Sequence, residues 1–345
     1  MYPILHWSLS IMKNNFFYAV FVVLVPCVCG AFEVSIAEKE AAAVVMDEIA
    51  WCRFDHAQSM VDSMIRADST EPLYWMLGLS AISLRQLDIA ESSGPDDFTP
   101  AYEKAMRCLD VFERSAPGRM SYLLTMKGFI QLVAAAHTMQ RKSYFKGLRM
   151  GLDAVSLCKK ARETDSANRD AEFVVGLYSY ARAELKRKFW GILFWYSGDK
   201  LSGIAAMERC VKGAAIVGPT AAMVLQDIYV REGMFDAARE GIDRLLARYP
   251  ECRFVLWSKA KLYDAKKNFG PAAQTYGALA DAYSEAPLAK KNMALTRWCE
   301  AQRYYWAGDA YHAEAACRRL LDSCKSKSCE QCGDAEKLLK KIAER

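Results

Sequence analysis

The sequence predicts an all-α fold built as an array of paired helices, and three observations carry that reading. From residue 36 onward helix formers dominate, with apolar residues three and four positions apart and few stretches of strand character. Turn signals then recur at regular intervals. A shift of 34 residues also superposes Tyr229 on Tyr263, Ala238 on Ala272, Leu245 on Leu279 and Pro250 on Ser284. A repeat of that length is one helical hairpin, which buries its apolar face only against its neighbours.

The first thirty residues differ in kind. Lys13 precedes an apolar run from Phe16 to Val25, too short to span a bilayer at about 20 residues, which is the pattern of a signal peptide. Met12 and Lys13 look like its true beginning. Val28 and Gly30 suit cleavage before Ala31, whereas Leu24-Val25-Pro26-Cys27 only loosely resembles a lipobox, with Pro26 as the departure. A cleaved free chain, a lipid anchor through Cys27 or Cys29, and a retained membrane anchor all remain open. Each places residues 31–345 outside the cytoplasm, in the periplasm or envelope of a bacterium.

Beyond that segment, Asp68-Ser69-Thr70-Glu71-Pro72, Ala116-Pro117-Gly118, Asp165-Ser166-Ala167-Asn168, Gly218-Pro219 and Tyr249-Pro250-Glu251 can each stop one helix and start the next. About six hairpins fit between residues 38 and 325. The loop at Glu91 to Thr99 and the segment at 287–312 exceed the period and read as insertions. Residues 31–326 are therefore expected to form the repeat domain, and residues 327–345 a cysteine-containing C-terminal cap helix.

Small residues at fixed positions let the two helices of a hairpin approach closely. Ala238, Ile242, Leu245 and Pro250 have the spacing of a tetratricopeptide repeat (TPR) second helix, and Ala105, Leu109, Phe112 and Pro117 repeat it. Tyr74-x-x-Leu77-Gly78-x-x-Ala81 looks like a TPR first helix, with Gly128 and Gly176 at the same small position later. The chain thus resembles the TPR superfamily, which implies a superhelical array. Gly176 to Tyr180 and Gly198 to Gly203 are more weakly similar to TPR-type companions of periplasmic substrate-binding transport systems.

The TPR resemblance implies that one side of each first helix lines a concave face. Those residues are Trp75, Leu79, Phe129, Leu132, Phe173, Leu177, Tyr180, Met223, Asp227, Trp257 and Lys261. They form either an apolar groove or the buried lining of a tightly wound superhelix. The segment Phe189-Trp190-Gly191-Ile192-Leu193-Phe194-Trp195-Tyr196 is unusually apolar for a connection between helices. Trp190 and Trp195 either pack internally, wall a ligand pocket, or dock on a membrane or partner.

Composition narrows the function classes. The chain is 52% hydrophobic and 25% charged, and 46 Lys and Arg against 41 Asp and Glu leave only +5, without blocks. No footprint for nucleic acid emerges. Neither the glycine spacing that cradles phosphate nor H-E-x-x-H nor G-x-S-x-G occurs. His56, His137 and His312 stand isolated, as packing or surface residues do.

Of twelve cysteines, Cys27 and Cys29 belong to the export segment. Cys52, Cys108, Cys158, Cys210, Cys252 and Cys299 lie in helical contexts where a thiol passes as a small core hydrophobe. Spacing does not give their pairing. Cys317, Cys324, Cys329 and Cys332 cluster around a turn and are expected to staple the cap with disulfides. A structural zinc site of these four thiols fits less well, since the spacing is not a paired C-x-x-C framework, and so does a redox dithiol at Cys329-Glu-Gln-Cys332, since no strand precedes it and no thioredoxin-like unit surrounds it.

The expectation is a non-enzymatic binding or adaptor protein without cofactor or metal. It would present an apolar groove to a protein partner or a small apolar ligand, in a transport or envelope-assembly system. The alternative is an envelope enzyme with a divergent or redox cysteine site.

Overall fold

The computed structural model describes residues 32–89, 96–188, 199–285, 292–324 and 330–344. These residues form fifteen α-helices and no strand. In chain order they are α1 (Ile36–Ala50), α2 (Phe54–Ala67), α3 (Pro72–Asp88), α4 (Phe98–Ser115), α5 (Met120–Gln140), α6 (Tyr144–Thr164), α7 (Arg169–Lys188) and α8 (Lys200–Gly213). Then follow α9 (Gly218–Arg231), α10 (Phe235–Arg248), α11 (Arg253–Ala265), α12 (Phe269–Ser284), α13 (Met293–Trp306), α14 (Ala310–Cys324) and α15 (Glu330–Ala343). Consecutive helices pack as adjacent pairs, seven of them followed by α15, one more than the spacing predicts.

One local device recurs within the pairs. Cys52, Lys142, Gly233, Lys267 and Gly308 all have left-handed backbones, with φ between 52° and 82°. In each case that residue donates its N–H to the carbonyl three residues back, and the next residue to the carbonyl five back, as in Gly233 to Val230 and Met234 to Tyr229. This satisfies the last carbonyls of the first helix and turns the chain straight into the second. Gly233 and Lys267 lie 34 residues apart, whereas Lys267 and Gly308 lie 41 apart. The added length falls where the sequence marks an insertion.

The turn signals read from the sequence fall between pairs. Asp68 and Asp165 end α2 and α6 in extended conformation, and Pro72 and Pro219 sit in the first turns of α3 and α9. The connection into α9 is held from a distance by the Asp170 carboxylate, which accepts the amides of Ala215, Ile216 and Val217 at 2.7 to 2.9 Å.

Close crossings explain the small residues. A β-carbon on Gly128 would stand 2.5 Å from the Cys158 sulfur, and one on Gly203 would stand 2.8 Å from the Gly176 carbonyl. A β-carbon at either position would force the α5–α6 or α7–α8 crossing to shift, so glycine permits the close approach. Ala238 and Ala272 are fully buried in the second helices of their pairs.

Buried side chains run as one cluster from Ala42 to Leu262 and continue through a second around Leu256–Cys299 and a third around Ala301–Leu338. At the start, Ser35 and Glu38 form a reciprocal capping box on α1. Arg119 lies 3.9 Å over the Tyr122 ring and bonds the Glu38 carboxylate and the Glu33 carbonyl. Phe32 stacks on Tyr122 and gives its amide to Asp165. The segment 32–35 is thereby fastened to the third pair and to the connection that leads into it. The export segment, residues 1–30, lies outside the described residues.

The array also closes back on itself. Arg253, at the start of α11, holds Asp88, at the end of α3, through contacts of 2.7 and 3.0 Å from two guanidinium nitrogens, and both side chains are buried. Tyr283 donates its hydroxyl to the same carboxylate at 3.3 Å. Nearby, Arg248 and Tyr249 both bond Asp47, Trp51 packs edge-on against Tyr249, and Phe54 against Phe254. The first two helix pairs thus meet the connection into the sixth, about 200 residues away in sequence.

Candidate functional site

The concave positions implied by the resemblance divide into three groups. Leu79, Phe129, Phe173 and Tyr180 are at most 4% exposed. They are interior residues, which corrects the groove expectation for these four. All four belong to the one buried cluster that runs through the array, so their volume fills the interior. Tyr180 keeps its hydroxyl satisfied by Glu232 at 2.8 Å, and Lys200 bonds the same carboxylate.

The second group is half-buried: Trp75, Leu132, Leu177, Met223, Asp227 and Trp257. Three of these are committed to internal hydrogen bonds, two of them Trp75 to the Ser69 carbonyl and Trp257 to the Tyr283 hydroxyl. Asp227 accepts from Ser258 and from Lys261, the one exposed member, at 2.7 to 3.0 Å. The third group, Trp190 and Trp195 with the rest of Phe189 to Tyr196, lies outside the described residues.

The cysteine cluster is also divided. Cys332 is disulfide-bonded. Cys317 is a free thiol, fully buried against Ala316, Leu320, Ala335 and Leu338 between α14 and α15. Its expected place in the staple is therefore corrected: it fills the cap core as an apolar group. Cys329 lies outside the described residues, as does the environment of the Cys324 side chain.

An open cleft with an exposed apolar rim lies elsewhere, on α4, α5 and α6. A cleft of about 550 Å³ opens between them, lined by Phe98, Tyr102, Gln131, His137, Arg149 and Met150, among others. His137 forms its inner wall. Its ring stacks on Phe98 at 4.1 Å, Nδ1 lies 2.9 Å from the Gln86 side-chain oxygen, and Nε2 is 3.6 Å from Asp96. Burial pushes its pKa down, against the pull of Asp96, so the neutral ring is favoured. Gln131 donates to the Tyr102 hydroxyl at 3.0 Å.

The rim of this cleft is α6, and its outer face is unusual. Phe145 is 93% exposed, Tyr144 63%, Leu148 52% and Leu152 43%. Positions 145, 148 and 152 share one side of the helix. The opposite side carries Gly147, Ala154, Cys158 and Ala161, all buried. Arg141, Lys142, Lys146 and Arg149 surround the exposed apolar residues.

Sequence reasoning missed both the cleft and this face. The signal was present in α6 as two apolar stripes rather than one, since a helix packed along one side needs only one. The cleft gave no signal of its own, because its lining comes from three helices.

Chemically, the cleft combines a neutral imidazole, a phenol, one amide and the hydroxyls of Thr99 and Thr138 with charges of both signs, Glu103 and Asp153 beside Lys146 and Arg149. Among the described residues no group of three or more His, Cys, Asp or Glu is arranged to hold a metal, and no helix is long and apolar enough to cross a membrane. No known protein-family model matches the chain, and comparison with curated proteins finds no match.

Proposed function

We propose that the chain is an exported, non-enzymatic adaptor of the TPR type that binds a protein partner through the outer face of α6 and the cleft beside it. The observation that carries this reading is the exposed set Tyr144, Phe145, Leu148 and Leu152. Clustered large apolar side chains at a surface mark interaction sites, because each gains roughly 1.5 to 3 kcal/mol on burial. The surrounding Arg141, Lys142, Lys146 and Arg149 favour a partner segment with apolar anchors and acidic flanks. The cleft, open and of mixed polarity, suits such an extended segment, and a small apolar ligand is a secondary occupant.

The TPR assignment is supported by the 34-residue repeat, by five equivalent left-handed turns and by the tight crossings at Gly128 and Gly203. Contact between the first and sixth pairs suits a tightly wound superhelix. Export is supported by Lys13 and the run from Phe16 to Val25, which makes a periplasmic substrate-binding or envelope protein the fitting partner class.

The test compares capture from envelope extracts by the wild-type chain and by Phe145→Asp/Leu148→Asp. Because these side chains are exposed, the variant should melt with the parent. Loss of two anchors should weaken binding of the captured protein at least roughly 30-fold. A variant that captures the same protein with equal affinity would reject the α6 surface.

A further inference from the structure

The closure between the first and sixth helix pairs contains two thiols. Cys52 is the left-handed residue that ends α1, and Cys252 is the residue immediately before α11. Both are free, Cys252 is fully buried, and Cys52 is half-buried. Cys52 packs against the buried cluster that contains Cys252, and each thiol is the first influence on the other's titration, Cys52 being pushed up and Cys252 down. The backbones on either side are aligned by independent contacts. Trp51 meets Tyr249 at 6.0 Å and Phe54 meets Phe254 at 6.3 Å between ring centroids, while Arg253 grips Asp88.

We propose that Cys52 and Cys252 are a cross-linking pair, which oxidation joins in a disulfide that locks the closure of the array. Two neighbouring thiols on backbones held together by Trp51–Tyr249 on one side and Phe54–Phe254 on the other are placed to bond without rearrangement of the chain, a condition most cysteine pairs fail.

The oxidant is a disulfide such as oxidised glutathione. Cys52, the more accessible, is the thiol that the disulfide reaches; its own thiolate is disfavoured, so as it attacks one sulfur its proton passes to the neighbouring Cys252 thiolate, forming a mixed disulfide and releasing one glutathione thiolate. Cys252 then attacks the Cys52 sulfur, and the second glutathione leaves. In sum, two cysteine thiols lose two electrons and two protons, and one glutathione disulfide becomes two thiols. The contact with Cys52 holds the Cys252 thiol below its ordinary pKa range, and the backbone amides of Val255 and Phe254 act in the same direction. Those amides remain in place for the second step.

The test uses the full chain, incubated with oxidised glutathione, alkylated and digested without reduction. Mass spectrometry should show a linked Cys52–Cys252 peptide and the loss of two alkylatable thiols. Because the link spans 200 residues, the melting temperature should rise by roughly 5 °C or more, reversibly with dithiothreitol. Neither the linked peptide nor the rise should occur in Cys52→Ser, whose position at a half-buried turn tolerates a polar residue. Stable glutathionylation of Cys52 with Cys252 left free would overturn the proposal, as would complete alkylation of both after treatment.

Discussion

The Asp88–Arg253 pair offers the sharpest test of the closed array, and Asp88→Ala is the perturbation. The carboxylate makes three contacts of 2.7 to 3.0 Å to the guanidinium, and the two residues are 4% and 8% exposed. Removing it leaves a buried cation with the face of Tyr283 5.6 Å away and no carboxylate on it. Breaking one side of such a pair costs about 3 to 5 kcal/mol, mostly from the stranded charge. For a chain of this size, at about 2 °C per kcal/mol, the midpoint should fall by roughly 6 to 10 °C. The charge-free double variant Asp88→Leu/Arg253→Met should recover most of that loss, since it removes the desolvation of both ions. Thermal unfolding followed by circular dichroism at 222 nm measures all three chains. A loss below about 1 kcal/mol in Asp88→Ala would mean that the second and sixth pairs do not meet in solution, and the reasoning would fail.

Three further outcomes follow from local geometry. Gly203→Ala should destabilise by about 1 to 3 kcal/mol, because its β-carbon meets backbone of α7 at 2.8 Å, whereas Gly270→Ala, which meets nothing, should be neutral or stabilise by up to about 1 kcal/mol; urea midpoints distinguish the two. His137 has a lowered folded pKa, so the unfolded state takes up its proton first and stability is lost as pH falls below the unfolded value of about 6.5. His137→Phe should flatten that part of the stability-versus-pH curve, and an unchanged slope would contradict the assignment. The Cys317 thiol, pushed up to about 11 by burial, should resist alkylation in the native chain and react only on unfolding, as read by mass spectrometry.

Local features of the fold were legible because they rest on local chemistry. Asp68 to Pro72, Asp165 to Asn168 and Gly218-Pro219 mark boundaries between pairs through conformations that those residues favour, and Gly128 and Gly176 sit where backbones nearly touch. The closure was not legible, because Asp88 and Arg253 are 165 residues apart and neither carries a signal of its own. The groove misread has the same origin. Periodicity places Phe129, Phe173 and Tyr180 on one side of their helices, but how tightly successive pairs pack decides whether that side is open. Cys317 and Cys332 illustrate the same limit, since a dense cluster shows that thiols are near one another and not which of them meet. The exposed stripe on α6 could have been found by asking which helices carry more apolar residues than one buried face can use.

The account's central claim, that the outer face of α6 receives a protein partner, is tested most directly by photo-crosslinking. A benzophenone amino acid placed at Leu148 in the exported chain, with Lys160 on the same helix as the exposed control, is irradiated in intact cells. The account predicts one protein adduct from position 148 that is absent from position 160 and suppressed by Phe145→Asp. No adduct at 148, or the same adducts from both positions, would contradict it.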